Sequence, residues 1–183
     1  MRVSDDRYSR DRLRFDLALR FIRHEARTRT IRLWTGLTDD RIRKLYRTYL
    51  ADTSQTVPRH RGKSPRQPAF FMRSPRLQHE TAVLASLLSL LGVVASPAHP
   101  RTARQLPSIA RGRSLCEAFE AYRRFVPESP ITFEHAAFLV SALQRGEELK
   151  LTACIECGSV VVLDGVPLRD GRCHHCIKTA RMS

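Results

Sequence analysis

Acidic residues are scarce in this chain: 18 Asp and Glu face 32 Lys and Arg over 183 residues, a formal net charge of +14. Such a balance disfavours cationic partners and points to a polyanion. Long apolar runs are missing too. The longest, Ala82 to Ala95, is broken by Ser86, Ser89 and Gly92. It is too short to cross a bilayer and predicts a buried helix, with no membrane partner. The opening residues Met1-Arg2-Val3-Ser4-Asp5-Asp6-Arg7 lack the apolar segment of a secretory signal, so a cytoplasmic location is expected. No GxxxxGK[ST] loop, HExxH helix or GxSxG elbow occurs, and enzyme activity is not expected. Nor is there an internal repeat. Apolar residues still make up 42%, enough for the core of one ordinary domain with a small appendage.

What the chain does have is a cysteine pattern. Cys154-Ile155-Glu156-Cys157 and Cys173-His174-His175-Cys176 are C-x2-C pairs separated by fifteen residues. That spacing suits a structural zinc site, because each short turn puts two sulfurs on one side of a tetrahedral ion. Four thiolates leave no position for water or substrate, so one Zn2+ per chain would fold this segment rather than catalyse. Two disulfides are the competing reading, disfavoured in a reducing compartment. A zinc deaminase needs a His-x-Glu beside the cysteines, and neither pair has one. His174 and His175 could substitute as ligands but are expected at exposed knuckle positions, and Cys116 as a small apolar filler of a helix.

The charge is unevenly placed. Residues 1–76 carry 20 Lys and Arg against 8 Asp and Glu, a net of +12, whereas residues 77–183 carry 12 against 10. All but four of the basic residues are arginine, whose planar fork suits phosphate and guanine edges. Nucleic acid is the expected partner of that first segment.

The pattern predicts a mainly α fold. Phe15, Leu19, Ile22 and Ala26 have helical spacing and place a helix from about Asp11 to Thr28. A second helix covers Thr30 to Thr35 and stops at Gly36. Thr38 caps a third, with Asp39 and Asp40 in its first turn, running to about Ala51. Residues 52–75 form a basic connector punctuated by Pro58, Pro65 and Pro68. Residues 76–92 read as an apolar helix closed by Gly92. Ser114 and Glu117, at capping-box spacing, open a helix to about Val126, and Thr132 opens another that ends at Gly146. Short strands surround the cysteines, with Asp164-Gly165 as a turn. Four parts result: a helix-turn-helix-like 1–51, the connector 52–75, a helical core and partner-binding part 76–148, and a small zinc-binding segment, 149–183, with the four paired cysteines.

With Gly36 aligned to the turn of a helix-turn-helix, Ile31, Leu37, Ile42 and Leu45 fall where that motif joins its helices. Ile42, Leu45, Tyr46 and Tyr49 make an inward stripe, and Arg43, Lys44 and Arg47 lie on the opposite face, as major-groove insertion requires. Two features depart from the motif: Arg32 stands where alanine is usual, and Asp39-Asp40 carry the wrong sign for phosphate. Arg59, Arg61, Lys63 and Arg66 of the connector are further candidate DNA contacts.

Together these residues resemble a known family, the bacterial flagellar transcriptional activator subunit FlhC. The resemblance rests on Ile42-Arg43-Lys44-Leu45-Tyr46 after Leu37-Thr38, the basic connector, and Ala121-Tyr122-Arg123-Arg124-Phe125. It continues through the Thr132-to-Gly146 helix and Leu149 and Leu151 into the two cysteine pairs, covering about residues 10 to 177. It implies a zinc-containing subunit of a heterohexamer with four FlhD-like and two FlhC-like chains, which binds double-stranded promoter DNA and recruits RNA polymerase. Cys154, Cys157, Cys173 and Cys176 would be its zinc ligands. Flagellar class II operons are the implied targets, and relatives of the family also control transfer genes of mobile elements. The alternative from another class is a zinc-ribbon adaptor that binds only protein, which leaves the localised +12 without a purpose.

Overall fold

The structure is a computed structural model that describes residues 2–52, 64–96, 107–164 and 171–180, with side chains of the first stretch placed from Tyr8 to Tyr49. It is mainly helical. In chain order the described elements are α1 (Arg2–Arg23), α2 (Thr28–Thr35), α3 (Asp39–Asp52), α4 (Ala69–Met72), α5 (Pro75–Leu90), α6 (Ile109–Phe125), α7 (Phe133–Arg145), β1 (Leu149–Ala153), β2 (Val160–Asp164) and α8 (His174–Ala180). They form two compact units. Residues 1–64 and 106–116 make the first, and residues 65–105 and 117–183 the second, so α6 contributes one half to each. No described helix is long and apolar enough to cross a membrane.

In the first unit α1, α2 and α3 pack pairwise. Leu17, Ala18, Phe21 and Ile22 of α1 are buried with Ile31 and Trp34 of α2, Leu37 of the turn, and Ile42 and Tyr46 of α3. Of the α1 stripe expected from spacing, Ile22 and Ala26 are buried, whereas Phe15 and Leu19 are only half-buried. Burial of such side chains is worth about 1.5–3 kcal/mol each, and it makes a helix of a segment in which Leu13, Phe15, Leu17, Leu19 and Phe21 also alternate as a strand would. The first half of α6 closes the unit. Its Gly112 lies so near α1 that a Cβ there would stand 2.7 Å from Leu17 Cδ2. Arg111, beside it, lays its guanidinium over the Trp34 ring at 5.6 Å. Cys116 is fully buried in this core, as expected of a filler.

Both ends of α1 differ from the sequence expectation. The helix begins at Arg2, well before Asp11, because helix formation there needs no apolar stripe: from Tyr8 to Arg14 nearly every side chain is exposed. It stops at Arg23, short of Thr28. Glu25 takes a left-handed φ of 59°, and the amides of Glu25 and Ala26 bond back to the carbonyls of Ile22 and Phe21 at 2.9 Å each. The Tyr46 hydroxyl then donates to the Ala26 carbonyl at 2.8 Å, tying α3 to this reversal.

The second unit is built on α5, α7 and the second half of α6. Ser74 caps α5 by accepting from the Leu77 amide at 3.2 Å, with Pro75 in the first turn. The helix ends at Leu90 rather than Gly92. The Val93 amide reaches back to the Leu88 carbonyl at 2.8 Å, and Val93 and Val94 bury themselves as the chain turns. The predicted capping box at Ser114 is also wrong in place. That serine lies inside α6, which opens near Ser108, whose hydroxyl accepts from the Arg111 amide at 3.3 Å. Thr132 and Gly146 bound α7 as expected. Phe71 stacks on Phe138, and Phe119 meets Phe133 edge-on at 5.3 Å.

A polar network centred on the buried Glu80, Tyr122 and Ser129 lies among these helices. Arg76 Nε donates to Glu80 Oε1 at 2.6 Å, and the Ser129 hydroxyl donates to Glu80 Oε2 at 2.7 Å. Tyr122 donates to the same Ser129 oxygen, which also accepts from the Ile131 amide at 3.1 Å. Burial pushes the Tyr122 hydroxyl up to about 12. The turn between α6 and α7 is thereby fastened to the start of α5.

The strands expected around the cysteines pair as one antiparallel hairpin, Leu149 opposite Asp164 through Ala153 opposite Val160. β1 packs on α7 and β2 on α5. The second cysteine pair opens α8, a short helix, where strand was expected; α8 also rests on α5. Gly165 of the predicted turn lies outside the described residues.

Candidate metal centre and nucleic-acid interface

The loop of the hairpin is the first cysteine pair. Cys154 follows β1, its amide donating to the Ser159 carbonyl at 2.7 Å. Gly158, at φ 71°, returns its amide to the Cys154 carbonyl at 2.9 Å. That left-handed residue tightens the loop until Cys154 and Cys157 face one way. The second pair spans the start of α8, where a helical turn places Cys173 and Cys176 side by side. The Ile155 amide donates to the Gly171 carbonyl at 3.2 Å and joins the two turns.

All four sulfurs lie within 4.8 Å of one another. A tetrahedron with metal–sulfur bonds of about 2.3 Å has edges of about 3.8 Å, so the cage has the dimensions of a single ion. The four sequence-predicted ligands are brought together, and the cluster could hold one metal ion. Soft thiolates favour zinc, iron or cuprous ions over magnesium and calcium.

Backbone amides prepare the cage for a cation. The Cys173 amide points at Cys154 Sγ at 3.2 Å and the Cys176 amide at Cys173 Sγ at 3.4 Å. Amide hydrogen bonds stabilise a thiolate, so the Cys154 thiol is drawn down to about 6, chiefly by the Cys157 and Cys173 amides, and the Cys173 thiol is lowered by the Cys176 amide. The Cys176 thiol is raised, chiefly by its sulfur neighbour Cys173, then by Cys157 and by burial. Glu156 meets Arg172 at 3.0 Å, one residue before a cysteine in each turn, an ion pair across the turns that sequence reading missed. His175 is exposed, His174 is half-buried, and the cluster comprises the cysteines without them.

At the other candidate site, α2 and α3 are joined by Gly36-Leu37-Thr38. Gly36 sits at φ 69° with its amide on the Arg32 carbonyl, and Leu37 is buried. A three-residue turn with glycine in this conformation is characteristic of helix-turn-helix units. Ile31, Leu37, Ile42 and Tyr46 are buried and Leu45 and Tyr49 half-buried, so the predicted inward stripe of α3 is in place. Arg43, Lys44 and Arg47 are all exposed.

The two features that departed from the motif prove to be partners. Arg32 Nη1 lies 3.6 Å from Asp39 Oδ1, across the turn. Asp40 accepts from Arg43 Nη1 at 2.8 Å. Each acidic side chain that would have met a phosphate therefore faces an arginine. Arg41 has other work: it approaches Asp11 of α1 at 3.8 Å and stacks over Phe15 at 5.7 Å. Lys44 and Arg47, with no ion pair among the described residues, and Arg43 form the outward ridge. Arg66 is exposed, in the other unit, and Arg59, Arg61 and Lys63 lie outside the described residues.

No protein-family model matches this chain, and no curated protein matches it.

Proposed function

We propose that this chain is a DNA-binding transcriptional activator of the FlhC type. The observation that carries the reading is the α2–turn–α3 unit, with its buried apolar stripe and the ridge of Arg43, Lys44 and Arg47 turned to solvent. The concentration of net charge in residues 1–76 supports it. In this reading α3 enters the major groove. Arginine or lysine reaches a guanine edge, and the remaining cations hold phosphates.

The cysteine cage is assigned to a structural zinc ion, because four sulfurs close the coordination shell. It would tie the hairpin to α8 and so brace the face of α5 on which both rest. The resemblance supplies the rest of the proposal: a cytoplasmic assembly with an FlhD-like helical partner, in the ratio of two to four, that brings RNA polymerase to flagellar promoters.

Full chain, co-expressed with any FlhD-like neighbour, is taken through selection from a randomised duplex library, and the enriched duplex is titrated by fluorescence anisotropy at several salt concentrations. The logarithm of affinity should fall against that of salt with a slope of about −0.9 per phosphate neutralised. Changing Arg43, Lys44 and Arg47 together to alanine should weaken binding and flatten the slope. A bidentate guanine contact is worth roughly 1–3 kcal/mol, and its loss relaxes preference at one base pair. Unchanged affinity in the triple variant would remove α3 as the reader.

A further inference from the structure

The four sulfurs of the cage are not equivalent. Cys154 and Cys176 are 3% and 7% exposed, whereas Cys157 is open to solvent and Cys173 half-buried. Cys157 Sγ lies 3.6 Å from Cys173 Sγ, so the more exposed cysteine of one turn faces the more exposed cysteine of the other. Cys157 Sγ is also 3.2 Å from the Ser159 hydroxyl. Cys154, by contrast, is shielded and accepts from the Cys173 amide. Oxidation of thiols follows exposure and thiolate character.

We propose that Cys157 and Cys173 form a peroxide-sensitive thiol pair, whose disulfide withdraws two of the four sulfurs from the metal cage. The inference builds on the metal-centre reading and is independent of DNA binding. The chemistry balances in two steps. The Cys157 sulfur attacks one peroxide oxygen, the O–O bond breaks, and Cys157 becomes a sulfenic acid while one water leaves. The Cys173 sulfur then displaces that hydroxyl as a second water and forms the S–S bond. Two thiols lose two electrons to one peroxide, and the metal ion keeps its oxidation state. Bond formation draws the two sulfurs from 3.6 Å to about 2 Å. The link also joins the two turns that the metal had joined, so the segment stays tethered and a thiol reductant with fresh metal restores the cage.

The test treats the full chain, its metal content first measured, with hydrogen peroxide. Metal release is followed by a chromogenic chelator, and cross-links are mapped by non-reducing peptide analysis after alkylation. The expected product is a Cys157–Cys173 link formed in step with metal release, with Cys154, Cys176 and the buried Cys116 recovered as free thiols. A link within either C-x2-C pair, or metal loss with no link, overturns the proposal. A chain that starts without metal yet forms the Cys157–Cys173 link loses the metal-centre reading and keeps the thiol pair. A chain that holds its metal and never forms the link does the reverse. Cys157→His supplies a second zinc-competent ligand type. It should release metal under peroxide on the order of tenfold more slowly than the parent, since the reactive sulfur is gone. Release at the parental rate would count against the pair.

Discussion

Replacing Ser129 by alanine removes one oxygen on which three buried groups depend. Tyr122 donates to it, the Ile131 amide donates to it, and it donates to Glu80, a residue only 4% exposed. Each buried polar group left unpaired costs about 1–3 kcal/mol, with bonds to charged groups at the upper end. Glu80 keeps its bond from Arg76 Nε at 2.6 Å, so its carboxylate is not stranded. Partial relaxation around the lost oxygen lowers the total further. The expected cost is about 2–4 kcal/mol, a large part of the 5–15 kcal/mol that holds an ordinary domain together.

The mechanism is separable from a simple loss of volume. Tyr122→Phe alone removes one hydrogen bond and should cost about 1 kcal/mol. In the Ser129→Ala background the same change removes a hydroxyl that is already orphaned, so it should cost little or stabilise. The double variant should fall short of the sum of the single costs by about 1 kcal/mol or more, as for residues sharing a network. Urea unfolding of the metal-loaded chain, followed by circular dichroism, reads both quantities, with a slope of about 1–3 kcal/mol per molar. A cost below about 0.5 kcal/mol for Ser129→Ala, or additivity within about 0.5 kcal/mol, would refute the network as a stabilising unit.

Gly112→Ala should destabilise the first unit by about 1 kcal/mol. The propensity gain of about 1 kcal/mol is outweighed by crowding against Leu17 at 2.7 Å, and a raised thermal midpoint would show that α1 yields freely. His135 is held below its ordinary 6.5, first by burial, with Glu134 acting the other way. Its Nδ1 accepts from the Thr132 amide at 3.2 Å and its ring stacks on Phe70. The unfolded chain then binds the extra proton more readily, so this stability is present above 6.5 and is lost as pH falls through the lowered value. Urea midpoints at about pH 7.5 and about pH 5.5 should differ less for His135→Gln than for the parent, and an unchanged difference would exonerate the histidine. Asp40→Asn should tighten binding to unselected duplex, because it removes a negative charge and frees Arg43 from its 2.8 Å partner; the pair is exposed, so a change of only a few-fold is expected. Weaker binding would mean that Asp40 orients Arg43 rather than competing for it.

The parts of this chain that were legible in its sequence are those in which a local pattern and the tertiary contact demand the same residues. A C-x2-C turn already fixes two sulfurs, and only the meeting of two turns had to be inferred; the cage within 4.8 Å is that meeting. The inward stripe of α3 likewise repeats at helical spacing whatever it packs against, and Ile42 and Tyr46 bury as that spacing requires. The illegible parts depend on residues distant in sequence or on positions that carry no pattern. Ser129 and Glu80 are 49 residues apart, and neither is exceptional among its neighbours until α5 and the α6–α7 turn touch. From Tyr8 to Arg14 α1 shows no apolar periodicity because nearly all of those residues face water, and Ser114 mimicked a cap at the right spacing inside a helix that Ser108 had already opened. Arg32 and Asp39 are the most instructive case. Each breaks the motif when considered singly, one by bulk and one by sign, and the turn between α2 and α3 brings them within 3.6 Å, where each answers the other. A departure from a pattern is therefore best judged after asking which second departure could complete it.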